Sequence, residues 1–314
     1  MKSKYMDINR IEFIITWQCG GKCRHCQMGD SINMRGAHRH VLPEYATEAV
    51  KKIASVCDVK SVMTFGGEPL YYPEVTTAIH KVAKACGIAT RQLITNGYFT
   101  NNAEKSRTVA HALTDVGVNS LLLSIDAFHQ EHIPIAPVYQ FAHDIIHAKI
   151  PGAVLYPTWL VNAEHQNAYN AKTRDILKKF SNLPIAVGGH KNNVILLGQA
   201  ANLLRGYYEK TELNLSEHRC SELLTLADIA IVPNGNVMAC GFPIGNIYQE
   251  DVLDIIARYN PYENEAMLAM VQGGVSGLRR YAEKQGVAVD ALEYCDACDL
   301  CGALTKHLEA QNLT

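Results

Sequence analysis

The sequence predicts an α/β chain built around a parallel sheet, and three observations carry that expectation. Apolar runs of strand length alternate with helical patterns through the first two-thirds of the chain. Asparagine and glycine stand where those helices should start and stop. After about residue 205 the alternation gives way to a hairpin pattern and further helices, so a first domain over 1–205 and a small C-terminal module over 206–314 are expected.

Six strands are expected, at Ile11–Ile15, Ser61–Phe65, Gln92–Ile94, Ser120–Ile125, Ala153–Val161 and Val194–Leu197. Between them, Pro43–Cys57, Glu74–Cys86, Ala103–Val116, Val138–Ile150 and Tyr169–Phe180 repeat apolar residues three and four apart, the period of a helix with one buried face. Asn101 or Asn102 suits the N-cap of the third helix, and Gly87 and Gly117 follow the second and third as stops. Six such βα units suit a partial barrel or a doubly wound sheet, and periodicity does not choose between them. Ile229 to Cys240 reads as a hairpin turning at Asn234-Gly235, followed by helical stretches at Val252–Tyr259 and Glu265–Gln285. This C-terminal part is expected as an appended module packed on the barrel.

With 314 residues, 48% of them apolar and 19% charged, the chain can bury a large core, which excludes a disordered protein. Lysine plus arginine (29) nearly cancels aspartate plus glutamate (31). A formal charge of −2 gives no global field to hold nucleic acid or an anionic membrane, and neither partner is expected. The first residues lack the apolar core of a signal peptide, and no segment reaches the ~18 unbroken apolar residues of a membrane span. A soluble, cytoplasmic protein is expected. In such a compartment ten cysteines point to metal or redox chemistry rather than disulfides.

The cysteines are grouped. Cys57 and Cys86 close helical stretches and are expected as small buried core residues. Cys19-Gly-Gly-Lys-Cys23-Arg-His-Cys26 follows the first strand directly, at the strand end where α/β folds build active sites. Three thiolates on a tight loop can hold three irons of a cubane cluster and leave the fourth iron open. A zinc site would need a fourth ligand, and His25, adjacent to Cys26, has little freedom to supply it. Cys220, Cys240, Cys295, Cys298 and Cys301 form a second group.

The spacing Cys19-x3-Cys23-x2-Cys26 resembles the signature of radical S-adenosylmethionine (SAM) enzymes, in which the residue before the third cysteine is usually aromatic and lies against the adenine; His25 takes that place. Thr64-Phe-Gly-Gly-Glu-Pro69 resembles the family's GGEP motif, which implies that Gly66, Gly67 and Glu68 hold the amino group of the methionine moiety. Leu93-Ile-Thr-Asn-Gly97 is similar to its T-N-G segment, with Thr95 and Asn96. Ser124 and Asp126 end the fourth strand, where the family often places ribose-contacting residues. All four motifs fall at C-terminal ends of successive expected strands and would converge on one mouth. The resemblance implies a partial (β/α)6 TIM-like barrel, a [4Fe–4S] cluster, SAM and an external electron donor such as flavodoxin or ferredoxin. Reduction of SAM would give methionine and a 5′-deoxyadenosyl radical that abstracts a substrate hydrogen.

Cys220-x14-Gly235-x4-Cys240 followed by Cys295-x2-Cys298-x2-Cys301 resembles the auxiliary-cluster modules called SPASM, or their shortened form, twitch. Five cysteines support one auxiliary [4Fe–4S] cluster with one thiol to spare; a structural zinc knot is the alternative. Cys220 could instead give a hydrogen atom to a substrate radical, although its pairing with Gly235 and Cys240 favours a ligand role. Leu196-Leu-Gly-Gln-Ala200 resembles the group's Gly-Arg-Ala segment, with Gln199 in place of arginine. A solvated lid is expected at Arg35–His40, and a substrate contact or proton relay at His129, Glu131 and His132 stands beside a plain polar loop. Two substrate classes follow from the resemblance: a peptide that is epimerised, crosslinked or oxidised, or a small molecule such as a sugar or aminocyclitol. A non-catalytic zinc or electron-transfer protein would need neither Gly66-Gly67-Glu68 nor the convergence.

Overall fold

The structure is a computed structural model that describes residues 3–29, 39–209, 220–287, 289, 294 and 296–310. β1 (Met6–Ile14) carries buried Ile11 and Phe13 on one face and Arg10 and Glu12 on the other, the two-residue period of a strand. Four full βα units follow: β2 (Ser61–Phe65) and α2 (Pro73–Ala85), β3 (Thr90–Thr95) and α3 (Ala103–Asp115), β4 (Ser120–Ser124) and α4 (Ile135–His147), β5 (Ala153–Tyr156) and α5 (Ala168–Lys178). Helix α1 (Pro43–Val56) joins β1 to β2. The side chain of Asn102 caps α3 by accepting from the Lys105 N–H at 3.0 Å.

The sheet is open and its order is β6-β5-β4-β3-β2-β1-β7-β8-β9, parallel from β6 through β1 to β7. The expected hairpin is present: β7 (Leu226–Ile231) and β8 (Asn236–Ala239) pair antiparallel, and β9 (Phe242–Asn246) continues the meander. β7 lies parallel against β1, in register Ile11↔Ile229 and Phe13↔Ile231. The C-terminal strands therefore extend the sheet of the first 205 residues, where a module merely packed upon it was expected. α7 (Val252–Arg258), α8 (Glu265–Lys284) and α9 (Ala297–Ala310) share one apolar core with α1, α2, β1 and β7. A second core joins β3, β4 and β5 to α3, α4 and α5.

Three sequence expectations change. The sixth strand is β6 (Ala186–Val187), with both residues exposed, and the apolar run Val194–Leu197 contributes no strand; beside it, Asn193 makes an isolated parallel bridge to Trp159. The fifth strand stops at Tyr156 instead of Val161, because Pro157 has no N–H to continue a ladder. Cys57 is buried in the core as expected, but Cys86 is exposed, since α2 ends at Ala85 and the chain turns at Gly87, whose φ is +74°. Among the described residues no helix is long and apolar enough to cross a membrane.

Candidate active site

The C-terminal ends of β1 to β5 open on one cavity of about 390 Å³. Its lining includes Cys19, Cys23, His25, Cys26, Gly66, Gly67, Thr95, Asn96 and Ser124, so residues from all four sequence motifs meet there. Glu68 and Asp126 are fully buried behind that surface.

The loop after β2 is locked to the segment before the thiols. The N–H groups of Gly67 and Glu68 donate to the carbonyls of Thr16 and Gln18 at 2.8 and 2.7 Å. A Cβ on Gly67 would collide with the Gln18 carbonyl, so only glycine permits this approach. Glu68 turns inward: its carboxylate accepts from the Leu70 N–H at 2.9 Å, the Thr95 hydroxyl at 2.7 Å and the Asn96 N–H at 2.9 Å. Burial pushes its pKa up to about 7 against those three donors. Glu68 thus splints the loop after β2 to the end of β3. Asn96 in turn donates its amide N–H to the Cys19 sulfur at 3.4 Å.

Asp126 is a second splint. Its carboxylate accepts from the N–H groups of Phe128 (2.9 Å), His129 (3.0 Å) and Thr158 (3.0 Å) and pairs with His129 Nδ1 at 2.9 Å. Burial works to raise its pKa, but His129 and these hydrogen bonds outweigh burial and hold it well below the carboxylate range. His129 lines the cavity, whereas Glu131 pairs with Arg24 at 3.5 Å and His132 is exposed. His25 packs on Phe128 and on the edge of His129, with ring centroids 4.8 and 4.7 Å apart. Its Nδ1 is buried without a hydrogen-bond partner, and burial lowers its pKa to about 4, so the ring is neutral.

Desolvation raises all three thiols of the first group, Cys19 to about 12, and the proximity of the other two thiols adds to the effect at Cys23. Desolvated thiols that share one cavity become thiolates only beside cations, so the donor set suits an iron cluster. Together with the glycine cradle and the unpartnered His25 nitrogen, it fits a three-thiolate cluster and a bound nucleoside.

A second thiol group gathers where α9 meets the β8–β9 turn. Burial raises Cys240 and Cys301 to about 12; Cys220 and Cys298 raise both further, and Cys240 also raises Cys301. Cys298 is raised by burial and by Cys220. These four are neighbours, and Cys295 lies outside the described residues, as do Arg35 to His38 of the expected lid.

Sequence reasoning missed the far wall and floor of the cavity, which are lined by Glu12, Met63, Tyr156, Thr158, Asn192 and Asn193. For Glu12 a signal existed: it shares the polar parity of β1 with Arg10, opposite Ile11 and Phe13.

The Radical SAM superfamily profile matches residues 13–153. GTP 3′,8-cyclase of Moorella thermoacetica is 25% identical over 124 residues, 40% of this chain and 36% of that protein. The Aquifex aeolicus GTP 3′,8-cyclase is 29% identical over 118 residues, 37% of this chain and 35% of that one. The matched region thus spans about a third of the length of these curated relatives. Among solved structures, anSMEcpe with bound AdoMet superposes with a TM-score of 0.52 over 96% of this chain and 93% of that one, at 14% identity. BtrN in complex with AdoMet and 2-DOIA gives a TM-score of 0.48 over 86% and 89%, at 16% identity. Residues 13–153, which carry the thiol loop, Glu68, Asp126 and the C-terminal ends of β1 to β4, thus match the radical S-adenosylmethionine domain.

Proposed function

We propose that this enzyme abstracts hydrogen from a small polar molecule, with Cys19, Cys23 and Cys26 holding the [4Fe–4S] cluster that binds SAM. The observation that carries this reading is the meeting of the three thiols with Gly66, Gly67, Asn96 and Ser124 on a single cavity that runs on to Glu12. When bound, the cluster and SAM supply a 5′-deoxyadenosyl radical on one-electron reduction by an external donor such as a flavodoxin or ferredoxin. Gly66, Gly67 and Asn96 offer a surface for the methionine end, Ser124 a hydroxyl for the ribose, and His25 a neutral ring beside the adenine. Glu68 and Asp126 act one layer back, fixing the loops that present these groups.

Of the two substrate classes, the small molecule has the better support. The cavity penetrates between strands toward a polar floor, and the relatives matched at 25% and 29% identity are named for a nucleotide cyclisation. The neighbouring thiols Cys220, Cys240, Cys298 and Cys301 support a second [4Fe–4S] cluster in a SPASM- or twitch-like module. A cluster held by these four thiols would supply an electron acceptor for a net oxidation of substrate.

Anaerobic reconstitution tests this reading. The expected result is brown protein that cleaves SAM to 5′-deoxyadenosine under a low-potential reductant and consumes a small polar substrate. Colourless, zinc-loaded protein without cleavage overturns it, and turnover of a peptide but of no small molecule overturns the substrate class.

A further inference from the structure

The inward side chains of β1 to β4 stack in layers set by strand register. Ile14 pairs with Phe65 and Ile94 with Leu122, forming an apolar layer below the thiols. Two residues further down each strand, Glu12 pairs with Met63, Met63 with Gln92 and Gln92 with Ser120. Glu12 and Met63 line the same cavity as the three thiols, so the cavity passes the apolar layer and reaches this polar floor.

At the floor Glu12 is ion-paired with Arg10, and of the two only Glu12 lines the cavity. Arg10 is committed to protein through every guanidinium nitrogen: Nε to Glu12 Oε1 at 2.6 Å, Nη1 to Ser61 Oγ at 2.8 Å, and Nη2 to Met63 Sδ and Gln92 Oε1, both at 2.8 Å. Arg10 does not line the cavity and Glu12 does, so the carboxylate is the charge the cavity meets. On the side wall Asn193 Oδ1 is buried with no hydrogen-bond partner. The Thr158 hydroxyl accepts from Asn192 Nδ2 at 3.0 Å and keeps its own proton to give. His129 directs Nδ1 to Asp126 at 2.9 Å and also lines the cavity. Among the described residues, no lysine or arginine lines the cavity.

Such a lining rewards hydrogen-bond donors and rejects anions: a phosphate needs arginine, lysine or clustered backbone N–H groups, and would meet a carboxylate here. We infer that Glu12 anchors the substrate at the cavity floor, and that the substrate presents hydroxyl or amino groups and carries no phosphate. This rests on the small-molecule reading and narrows it away from nucleotides, the class named in the relatives.

The probes are glucose, glucosamine and glucose 6-phosphate, titrated calorimetrically into the anaerobic, reconstituted enzyme with SAM bound. Glucose and glucosamine should bind at least roughly tenfold more tightly than the phosphate ester. In Glu12→Gln both should weaken at least roughly tenfold. Should Glu12→Gln fail to give a wild-type thermal transition, Glu12→Asp takes its place, with a smaller loss in the same direction. Preference for the phosphate ester, unchanged binding in the variants, or binding of none of the three overturns the inference. Cleavage of SAM by the wild-type preparation without sugar is measured alongside; its absence sinks the radical reading and leaves the binding result to be judged by itself.

Discussion

The backbone N–H of Gln199 donates to the carbonyl oxygen of Cys26 at 2.9 Å, so the segment beyond β6 holds the backbone that carries the third thiol of the first site. Gly198 makes the approach possible. Its φ is +58°, and a Cβ there would collide with the Gln27 carbonyl. Gly198→Ala should therefore cost about 1–3 kcal/mol from the backbone alone and push Cys26 from its place. The expected outcome is a lower midpoint in denaturant together with lost iron at the first site. An unaltered iron content would show that the thiol loop holds its shape without this contact.

From the same segment, Arg205 reaches Asp299 with two parallel bonds, Nη1 to Oδ2 at 2.8 Å and Nη2 to Oδ1 at 3.1 Å. Asp299 stands on α9 between Cys298 and Cys301, its side chain only 2% exposed. Arg205→Leu would remove the bidentate ion pair of that buried carboxylate, at a cost of up to about 3–5 kcal/mol. Replacing Asp299 by Leu in the same chain should recover most of the loss, because the buried charge goes with it. Thermal unfolding of both single variants and the double variant checks this; equal loss in all three would assign the effect to packing instead.

Much of this arrangement was legible in the sequence wherever a periodic apolar face coincided with a motif. β1 to β4 and α1 to α5 announced themselves by buried stripes, and the four motifs were placed at strand ends that do share a cavity. β6 was hidden because its two residues are exposed, whereas Val194 and Leu196 are buried as loop residues and imitate a strand. The pairing of β7 with β1 could not be read either, since alternation identifies a strand and not its neighbour. Glu68 and Asp126 stand among the residues singled out from the sequence, and the structure buries both carboxylates against neighbouring loops; sequence alone could not tell a side chain that touches a ligand from one that braces its neighbours. That distinction lies in which way each carboxylate turns.

Iron stoichiometry separates the two thiol groups. Two cubane clusters require about eight irons per chain. Cys301→Ala, which removes a half-buried thiol beside Cys220, Cys240 and Cys298, should lower this by about four while SAM cleavage persists at the first site. Cys23→Ala should remove the other about four irons and abolish cleavage. Cys57→Ala, a core residue far along the sequence from both groups, should change neither. Retention of all iron in Cys301→Ala would remove that thiol from the ligand set.

Stability should depend on pH through His80, which is distant from both thiol groups in sequence. Its ring is fully buried against β2, with Nε2 2.8 Å from the Thr64 hydroxyl and Nδ1 unpartnered. Burial, helped by Arg91, lowers its pKa from 6.5 to about 3. The unfolded chain therefore binds a proton that the folded chain refuses between those values. Stability is intact above pH 6.5 and falls with decreasing pH by up to about 1.4 kcal/mol per unit. From pH 6.5 to 5 the loss through His80 amounts to about 2 kcal/mol. His80→Gln keeps a partner for Thr64 but does not titrate, so its stability should fall less over that interval by about that amount. His25, lowered to about 4 by burial, titrates in an overlapping window and accounts for a slope that persists in the variant. Denaturant unfolding at pH 5 and 7.5 measures the difference, and parallel losses in wild type and variant would mean that His80 is already protonated in the fold.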